Sequence, residues 1–223
     1  MLALYHLGSV DARMIEAVQA GSRWLAGLQN RDGGIPTFCR GWGTLPFDRS
    51  SPDITAHALQ AWLVWKDQLP EVDAAMARAV AFLKKVQRAD GAWIPLWFGN
   101  QYALNDENPL YGTARVVAAM KLFPGAREAT RRGVEWILKA QNADGGWGGD
   151  RGLESSIEET ALAVTALGGE AEAIASWERG VGWLAAATWE GAETPPSPIG
   201  FYFARLWYYE GLYPLVFATA TAK

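Results

Sequence analysis

The feature that most constrains the fold is a short motif that recurs along the chain. It reads Gln-Asn-Arg-Asp-Gly-Gly at 29–34, Gln-Arg-Ala-Asp-Gly-Ala-Trp at 87–93 and Gln-Asn-Ala-Asp-Gly-Gly-Trp at 141–147, and an apolar segment precedes each copy. A fourth apolar segment at 179–184 leads to Thr188 and Trp189, where the motif is lost. A period of about 50 residues is typical of repeat architectures, whose terminal copies often decay.

A second shared pattern follows each motif. It contains Thr-Ala at 55–56, 113–114 and 160–161, in segments whose apolar residues recur at the three-and-four spacing of an α-helix. The Asp-Gly turn supplies residue types that end helices and tolerate positive φ. The repeat unit is therefore predicted to be a helical hairpin. We expect helices near 12–28, 53–68, 72–87, 111–123, 127–140, 157–168, 171–187 and 200–219.

Hairpins of this kind cannot bury their apolar faces alone, so neighbouring hairpins must stack. The sequence therefore predicts an all-α fold, a partial α/α toroid of about four hairpins in a single domain at 1–223. The second helices are poor in charge and would form the inner ring. The first helices would face outward and carry the charged residues Arg78, Lys84, Lys85, Arg131 and Lys139. Long loops at 31–52 and 89–110 are candidates for a functional rim.

Composition excludes several classes of function. A net charge of −4, from 20 basic and 24 acidic residues in mixed order, predicts no nucleic-acid partner. Every apolar run is shorter than a membrane span and the N-terminus does not resemble a signal peptide, which predicts a soluble, cytoplasmic protein and leaves peripheral membrane association open. The chain has one cysteine, Cys39, and two histidines, His6 and His57. It therefore cannot form an intrachain disulfide and has few of the usual ligands of a zinc site. No cofactor is expected.

The motif resembles the QW repeat of the squalene-hopene and oxidosqualene cyclase family, in which a hydrophobic helix is followed by Gln and then by Asp-Gly-x-Trp. The resemblance implies that Gln29, Gln87, Gln141, Trp93 and Trp147 brace the repeats and do not catalyse. The segment 200–215 is similar to the aromatic last inner helix of those cyclases. The likeness covers only the C-terminal part of the family's catalytic barrel. The chain would thus be a fragment, an open half-ring or a ring completed by another chain.

The family's acid motif, Asp-x-Asp-Asp-Thr-Ala, begins an inner helix and implies a general acid here. Alignment on the Thr-Ala at 55–56 places Asp53 at the central, proton-donating position, with Ser51 and Ile54 where bacterial cyclases have further carboxylates. A neutral carboxyl in a dry pocket is the group that such chemistry needs. The alternative is that Asp53 only caps the helix.

Two further residues are candidates for assisting Asp53. His57 lies four residues along the same helical face, where a hydrogen bond to Asp53 is geometrically feasible. Tyr111 occupies the position of Asp53 in the next repeat, and the resemblance to the family's Tyr-Gly-Thr segment implies that it relays protons to the acid. The alternative for Tyr111 is packing in the core.

The chain is unusually rich in aromatic residues, with 12 Trp, 7 Tyr and 8 Phe. Cationic cyclisation needs π faces, which stabilise a carbocation without trapping it as a nucleophile would. Packing in the core is the alternative explanation. The candidates for a substrate-binding cavity are Trp42, Trp97, Phe98, Tyr202, Phe203, Trp207 and Tyr209.

Two loops have a distinctive composition. The segment 39–49 is dense in Cys, Arg, Gly and aromatic residues, and it is interpreted either as a rim or lid close to Asp53 or as an ordered loop. The acidic segment 105–108 could hold a cation, although such a run is more often a solvated turn. No metal site is predicted.

The resemblance implies a class II terpene (triterpene) cyclase-like isomerase that protonates and cyclises a hydrophobic isoprenoid substrate without a metal. The alternative is a scaffold that keeps the repeats, lacks catalysis, and binds a lipid or a protein. A protein prenyltransferase β-subunit shares the architecture but needs a zinc set of Asp, Cys and His, for which Cys39 and His57 are poorly spaced. An incomplete ring would expose an apolar edge, which predicts self-association or a missing complementary domain.

Overall fold

The structure is a computed structural model that describes residues 1–8, 11–39, 48–201 and 205–221. Three predicted cavity residues, Trp42, Tyr202 and Phe203, lie outside the described residues, as does most of the segment 39–49. The chain divides into two compact units, Met1–Val86 and Gln87–Lys223. The single domain at 1–223 stays a prediction.

Helices account for most of the described residues. The α-helices are α1 (Leu2–His6), α2 (Ala12–Leu28), α3 (Pro52–Leu63), α4 (Asp73–Val86), α5 (Pro109–Met120), α6 (Arg127–Ala140), α7 (Ile157–Leu167), α8 (Ile174–Ala187) and α9 (Leu212–Thr221). The strands are β1 (Ile35–Pro36), β2 (Ser50–Ser51), β3 (Phe98–Gly99), β4 (Pro198–Phe201) and β5 (Leu206–Tyr209). The predicted alternation of outer helices (α2, α4, α6, α8) and inner helices (α3, α5, α7) is confirmed.

Helix ends differ from the prediction where capping or proline intervenes. The helix α3 ends at Leu63 and is followed by 3₁₀ turns at Lys66–Gln68 and Pro70–Val72, and Pro70 prevents a helix from continuing through the second of these turns. The helix α5 begins earlier than expected. Its N-cap is Asn108, whose side chain accepts a hydrogen bond from the Tyr111 amide, and Pro109 occupies the first turn.

The prediction of one helix at 200–219 is wrong. Strands β4 and β5 pair antiparallel there, with Gly200 opposite Trp207, and β3 pairs with β4 on the other side. A Cβ on Gly200 would lie 1.8 Å from the Leu206 carbonyl oxygen, so this close approach requires glycine. The run Leu-Trp-Tyr-Tyr at 206–209 also favours a strand. Only the last part of the predicted helix forms, as α9.

In the unit Met1–Val86, the core lies between α3 and α4. In the unit Gln87–Lys223, α7 is the central helix and packs against α5, α8 and α9. Every residue of α7 except Thr165 is buried. The predicted outward charges of the first helices are exposed, as shown by Arg78, Lys84 and Lys139. The outer helices therefore expose their charged faces, whereas the apolar inner helix α7 is buried, as their sequences predicted.

The three motif copies at 29–34, 87–93 and 141–147, called the repeat turns below, share one set of hydrogen bonds. Gln29 Nε2 donates to the Gly33 carbonyl (2.8 Å) and to the Ala75 carbonyl in the first turn of α4 (2.9 Å). Gln87 and Gln141 repeat both bonds, each to the turn and to the first turn of the next outer helix. These glutamines therefore brace successive outer helices, as the resemblance implied.

A threonine fixes each repeat turn to the inner helix that follows. Thr55 Oγ1 accepts from the Ile35 amide (2.9 Å), Thr113 from the Trp93 amide (2.9 Å) and Thr160 from the Trp147 amide (2.9 Å). The threonines are fully buried, so each hydroxyl satisfies an amide that would otherwise lack a partner away from water. The Thr-Ala pattern thus sets where each inner helix begins.

Candidate active site

Asp53 lies in the first turn of α3 and is 1% exposed. The N-cap residue of α3 is Ser51, whose side chain makes no capping bond, and Pro52 occupies the first turn, so Asp53 is not the N-cap residue. Thr55 Oγ1 donates to the Ser51 carbonyl (2.7 Å) and holds the start of the helix against β1. The carboxyl is therefore enclosed by protein at a defined position.

The Ser51 hydroxyl donates a hydrogen bond to Asp53 Oδ1. Ser51 itself is fully buried. A hydroxyl in this position stabilises a carboxylate that has released its proton, whereas burial favours the neutral acid. Asp53 and Ser51 therefore form a buried, hydrogen-bonded pair at the start of α3.

His57 and Asp48 are two other titratable side chains of the unit that contains Asp53. His57 is half-buried on α3, and its predicted hydrogen bond to Asp53 stays a prediction. Asp48 is 4% exposed, and within the described part of the chain neither of its carboxylate oxygens has a hydrogen-bond partner. Sequence reasoning placed Asp48 in a rim loop and missed its burial.

The second unit brings two of the predicted aromatic residues together. The rings of Phe98 and Tyr111 lie 4.7 Å apart at 38°, and Tyr111 is 6% exposed. The Arg115 guanidinium lies over Tyr111 at 5.4 Å and over Phe217 at 5.0 Å. The guanidinium therefore already occupies the faces of the Tyr111 and Phe217 rings. The predicted role of Tyr111 as a proton relay stays a prediction.

The other described aromatic candidates differ in burial. Trp97 is 5% exposed, Trp207 is half-buried, and Tyr209 is 64% exposed on β5. Burial makes Trp97 part of the core of its unit. The roles of all three in substrate binding stay predictions.

Two adjacent carboxyls at the start of α7 were not selected from the sequence. Glu158 stands at the repeat position of Asp53 and accepts hydrogen bonds from the Ser197 amide (3.0 Å) and hydroxyl (2.7 Å). Glu159 accepts from Asn108 Nδ2 (3.0 Å) and contacts the Ser156 hydroxyl. The signal that could have found them is the sequence Glu-Glu-Thr-Ala, which matches the end of the acid motif in residue type.

Burial raises the pKa of the Glu159 carboxyl to about 7, and the neighbouring Glu158 charge acts in the same direction. The hydrogen bonds from Asn108 and Asn100 lower this pKa and are outweighed. Glu159 lies at the wall of a cavity of about 390 Å³ that Ser197 and Trp183 also line. A carboxyl with this pKa exchanges its proton near neutral pH.

The acidic segment 105–108 forms structural contacts. Asp106 pairs with Arg205 (3.3 Å), Glu107 pairs with Arg88 (2.9 Å), and Asn108 caps α5. Among the described residues, no group of three or more His, Cys, Asp or Glu side chains has the arrangement of a metal site. None of the described helices is long and apolar enough to span a bilayer.

Comparison with known proteins places these features in a family. The family model of the squalene-hopene cyclase C-terminal domain matches residues 1–222. The chain belongs to this family. A probable squalene–hopene cyclase from Sinorhizobium fredii is 30% identical over 245 residues, which covers 94% of this chain and 36% of that protein. Enfumafungin synthase from Hormonema carpetanum is 30% identical over 236 residues, covering 86% of this chain and 16% of that protein.

Solved structures agree with the fold class. ent-Copalyl diphosphate synthase from Streptomyces platensis has a TM-score of 0.63 at 23% identity, covering 95% of this chain and 45% of that one. A type II terpene cyclase from Scytonema, in complex with geranylgeranyl dihydroxybenzoate, has a TM-score of 0.60 at 17% identity, covering 85% and 53%. The predicted all-α, α/α-toroid fold class is confirmed. The chain spans about a third or less of the length of the two curated relatives.

Proposed function

We propose that this chain carries the acid of a class II terpene cyclase and that Asp53 starts the cyclisation of a polyprenyl substrate by donating a proton. The observation that carries the proposal is the burial of Asp53, 1% exposed, in the first turn of an inner helix beside the Ser51 hydroxyl. Membership of the squalene-hopene cyclase C-terminal domain family supports the reaction class.

In the proposed reaction, the Asp53 carboxyl gives its proton to a terminal alkene or epoxide of the substrate. With an alkene, its electron pair forms the new C–H bond; with an epoxide, the oxygen takes the proton and its C–O bond to the more substituted carbon breaks. The carbon left with the positive charge is attacked by the next alkene of the chain. The Ser51 hydroxyl stabilises the carboxylate that is left. Loss of a proton from the last cation ends the sequence.

The test is product analysis by gas chromatography and mass spectrometry after incubation with squalene, oxidosqualene and shorter polyprenyl substrates. We expect wild type to form a cyclic product. Asp53→Asn should form it at least about 100-fold more slowly, because a general acid accelerates a reaction by roughly this factor. Ser51→Ala keeps the acid and removes only its hydrogen-bond donor, so it should slow the reaction by about tenfold with the same product.

Circular dichroism and the unfolding midpoint of each variant separate loss of activity from loss of fold. Equal turnover by wild type and Asp53→Asn would contradict the role of Asp53. Absence of turnover by well-folded wild type would contradict the cyclase proposal for this chain and favour the second candidate, a non-catalytic scaffold that binds a lipid or a protein. The observation in favour of that candidate is the presence of Ser51 and Ile54 where bacterial cyclases have carboxylates.

A further inference from the structure

A cavity of about 410 Å³ lies between the helices α8 and α9, both in the unit Gln87–Lys223. Apolar side chains form most of its wall, among them Trp177, Val181 and Leu184. Small-molecule sites in proteins usually have volumes of about 300–1,000 Å³. This space, called the α8–α9 cavity below, is therefore large enough for a small ligand.

The α8–α9 cavity has no charged side chain among the described residues of its wall. Two other cavities of the same unit differ in this respect. Lys121 and Glu170 line one of about 560 Å³, and Glu159 lines the one of about 390 Å³. A charged ligand group would lose its hydration in the α8–α9 cavity without gaining a partner of opposite charge. The wall therefore favours an uncharged ligand.

Threonine hydroxyls supply most of the polar atoms of the wall. Thr219 Oγ1 donates to the Leu215 carbonyl (2.6 Å), and Thr221 Oγ1 donates to the Ala218 carbonyl (2.7 Å). A hydroxyl has one proton and two acceptor lone pairs, so both side chains use their proton within α9 and can only accept from a ligand.

Thr194 complements these two acceptors. It is half-buried in the wall, and its hydroxyl has no hydrogen-bond partner within the described part of the chain. Its proton is therefore available to a ligand. Acceptors and a donor on one apolar wall match the hydroxyl of an alcohol, which both donates and accepts.

Comparison of the repeats explains why the α8–α9 cavity is open. Ala185 on α8 holds the place of Leu138 on α6, and Val181 holds the place of Val134. Val134 is 1% exposed, whereas Val181 is 36% exposed. The smaller side chain at 185 leaves space beside Val181 that the third repeat does not have.

We propose that the α8–α9 cavity binds an uncharged aliphatic or alicyclic alcohol. The apolar body of the ligand lies against Trp177 and Val181. Its hydroxyl donates to a threonine of α9 and accepts from Thr194. The inference rests on the wall of this cavity and is independent of the proposed reaction, whose acid, Asp53, belongs to the other unit.

The chemical class is tested with three probes that have unbranched chains of similar length: 1-decanol, decyl methyl ether and decanoate. Isothermal titration calorimetry on the full chain measures their affinities. We expect 1-decanol to bind, the ether to bind about fivefold more weakly because it cannot donate, and decanoate at least about tenfold more weakly because its charge has no partner. An ether or a carboxylate that binds as tightly as the alcohol would overturn the proposal.

The position of the site is tested with two variants of adjacent exposed residues on α8. Ala185→Phe places a ring in the α8–α9 cavity and should weaken 1-decanol binding at least about tenfold. Ala186→Phe is the matched control, because Ala186 holds the place of the exposed Lys139 and is not part of the described wall. It should change the affinity less than about twofold. Equal affinities of the two variants, or no binding by wild type, would overturn the site.

A second copy of the chain is the competing occupant, because Leu215 both lines the cavity and is 47% exposed. We expect wild type and Ala185→Phe to sediment alike at equal concentration, since the ligand and not another chain fills the space. A wild-type dimer that Ala185→Phe dissociates and that does not bind 1-decanol would show that the occupant is a second copy and would overturn the proposal.

Discussion

The Glu159 carboxyl is held by hydrogen bonds from two other segments of its unit, Asn100 and Asn108. Its pKa of about 7 in the folded protein exceeds its ordinary value of 4.5, and Glu158 is the charged group that faces it. The folded state therefore binds an extra proton between these values. This contribution to stability is complete below about pH 4.5 and is lost as the pH rises through 7.

We expect Glu159→Gln to abolish this pH dependence. Relative to wild type, the variant should gain on the order of 2–3 kcal/mol in free energy of unfolding between pH 5 and pH 8, since a neutral amide has no proton to lose. Denaturant unfolding across this range measures the difference. Glu154→Gln is the control, because Glu154 is exposed near the same cavity. Parallel profiles for wild type and Glu159→Gln would show that the carboxyl is not a buried acid.

Individual residues were predicted from the sequence to unequal degrees. Asp53 was found by aligning the Thr-Ala pattern with the family's acid motif. Glu159 stands where the other repeats have Ile54 and Gly112, so the repeat pattern marks no role for it. Its burial arises only when Asn100 and Asn108, distant in sequence, come to lie over the start of α7.

At the scale of elements, two glycines of α8 distinguish the effect of close packing on stability from the effect of helix propensity. We expect Gly180→Ala to lower the free energy of unfolding by about 1–3 kcal/mol, because the new Cβ would lie 2.6 Å from Trp147 Cζ3 and 2.8 Å from Val164 Cγ2. The Cβ added by Gly182→Ala would have no atom within 4 Å, so this variant should instead raise the free energy of unfolding by about 0.5–1 kcal/mol. Denaturant melts of both variants measure the contrast, and a gain in stability from Gly180→Ala would refute the close packing.

The elements were predicted well where periodicity and turn chemistry agreed. The helices α2 and α6 have the predicted bounds, since an apolar face and an Asp-Gly turn mark both. The strands β4 and β5 were missed because aromatic residues at 200–209 fit a packed helix as well as a strand. Pairing across Gly200 and Trp207, and with β3, decided between the two.

At the scale of the whole molecule, exposed apolar residues predict self-association. On α9, Leu212 is 64%, Leu215 47% and Val216 56% exposed, and this helix contains no charged residue. Such a patch favours contact with another apolar surface. We expect the mass measured by light scattering to rise with protein concentration and Val216→Lys to reduce that rise.

Trp24→Ala is the matched control for this association, because Trp24 lies outside the α9 patch and is also exposed. It should leave the concentration dependence unchanged. A constant monomer mass at high concentration would contradict the prediction that the α9 patch drives association.

The sequence alone determined the repeat, the hairpin unit and the family, because each depends on residue types at fixed spacing. Periodic apolar residues and Asp-Gly turns act locally, so their consequences can be predicted without knowing what they pack against. Only the tertiary structure decided that 206–209 is a strand, that α3 begins after Ser51 with Asp53 inside its first turn, and that Glu159 is buried. These outcomes depend on contacts between segments far apart in the chain, and burial by such contacts sets both conformation and proton affinity.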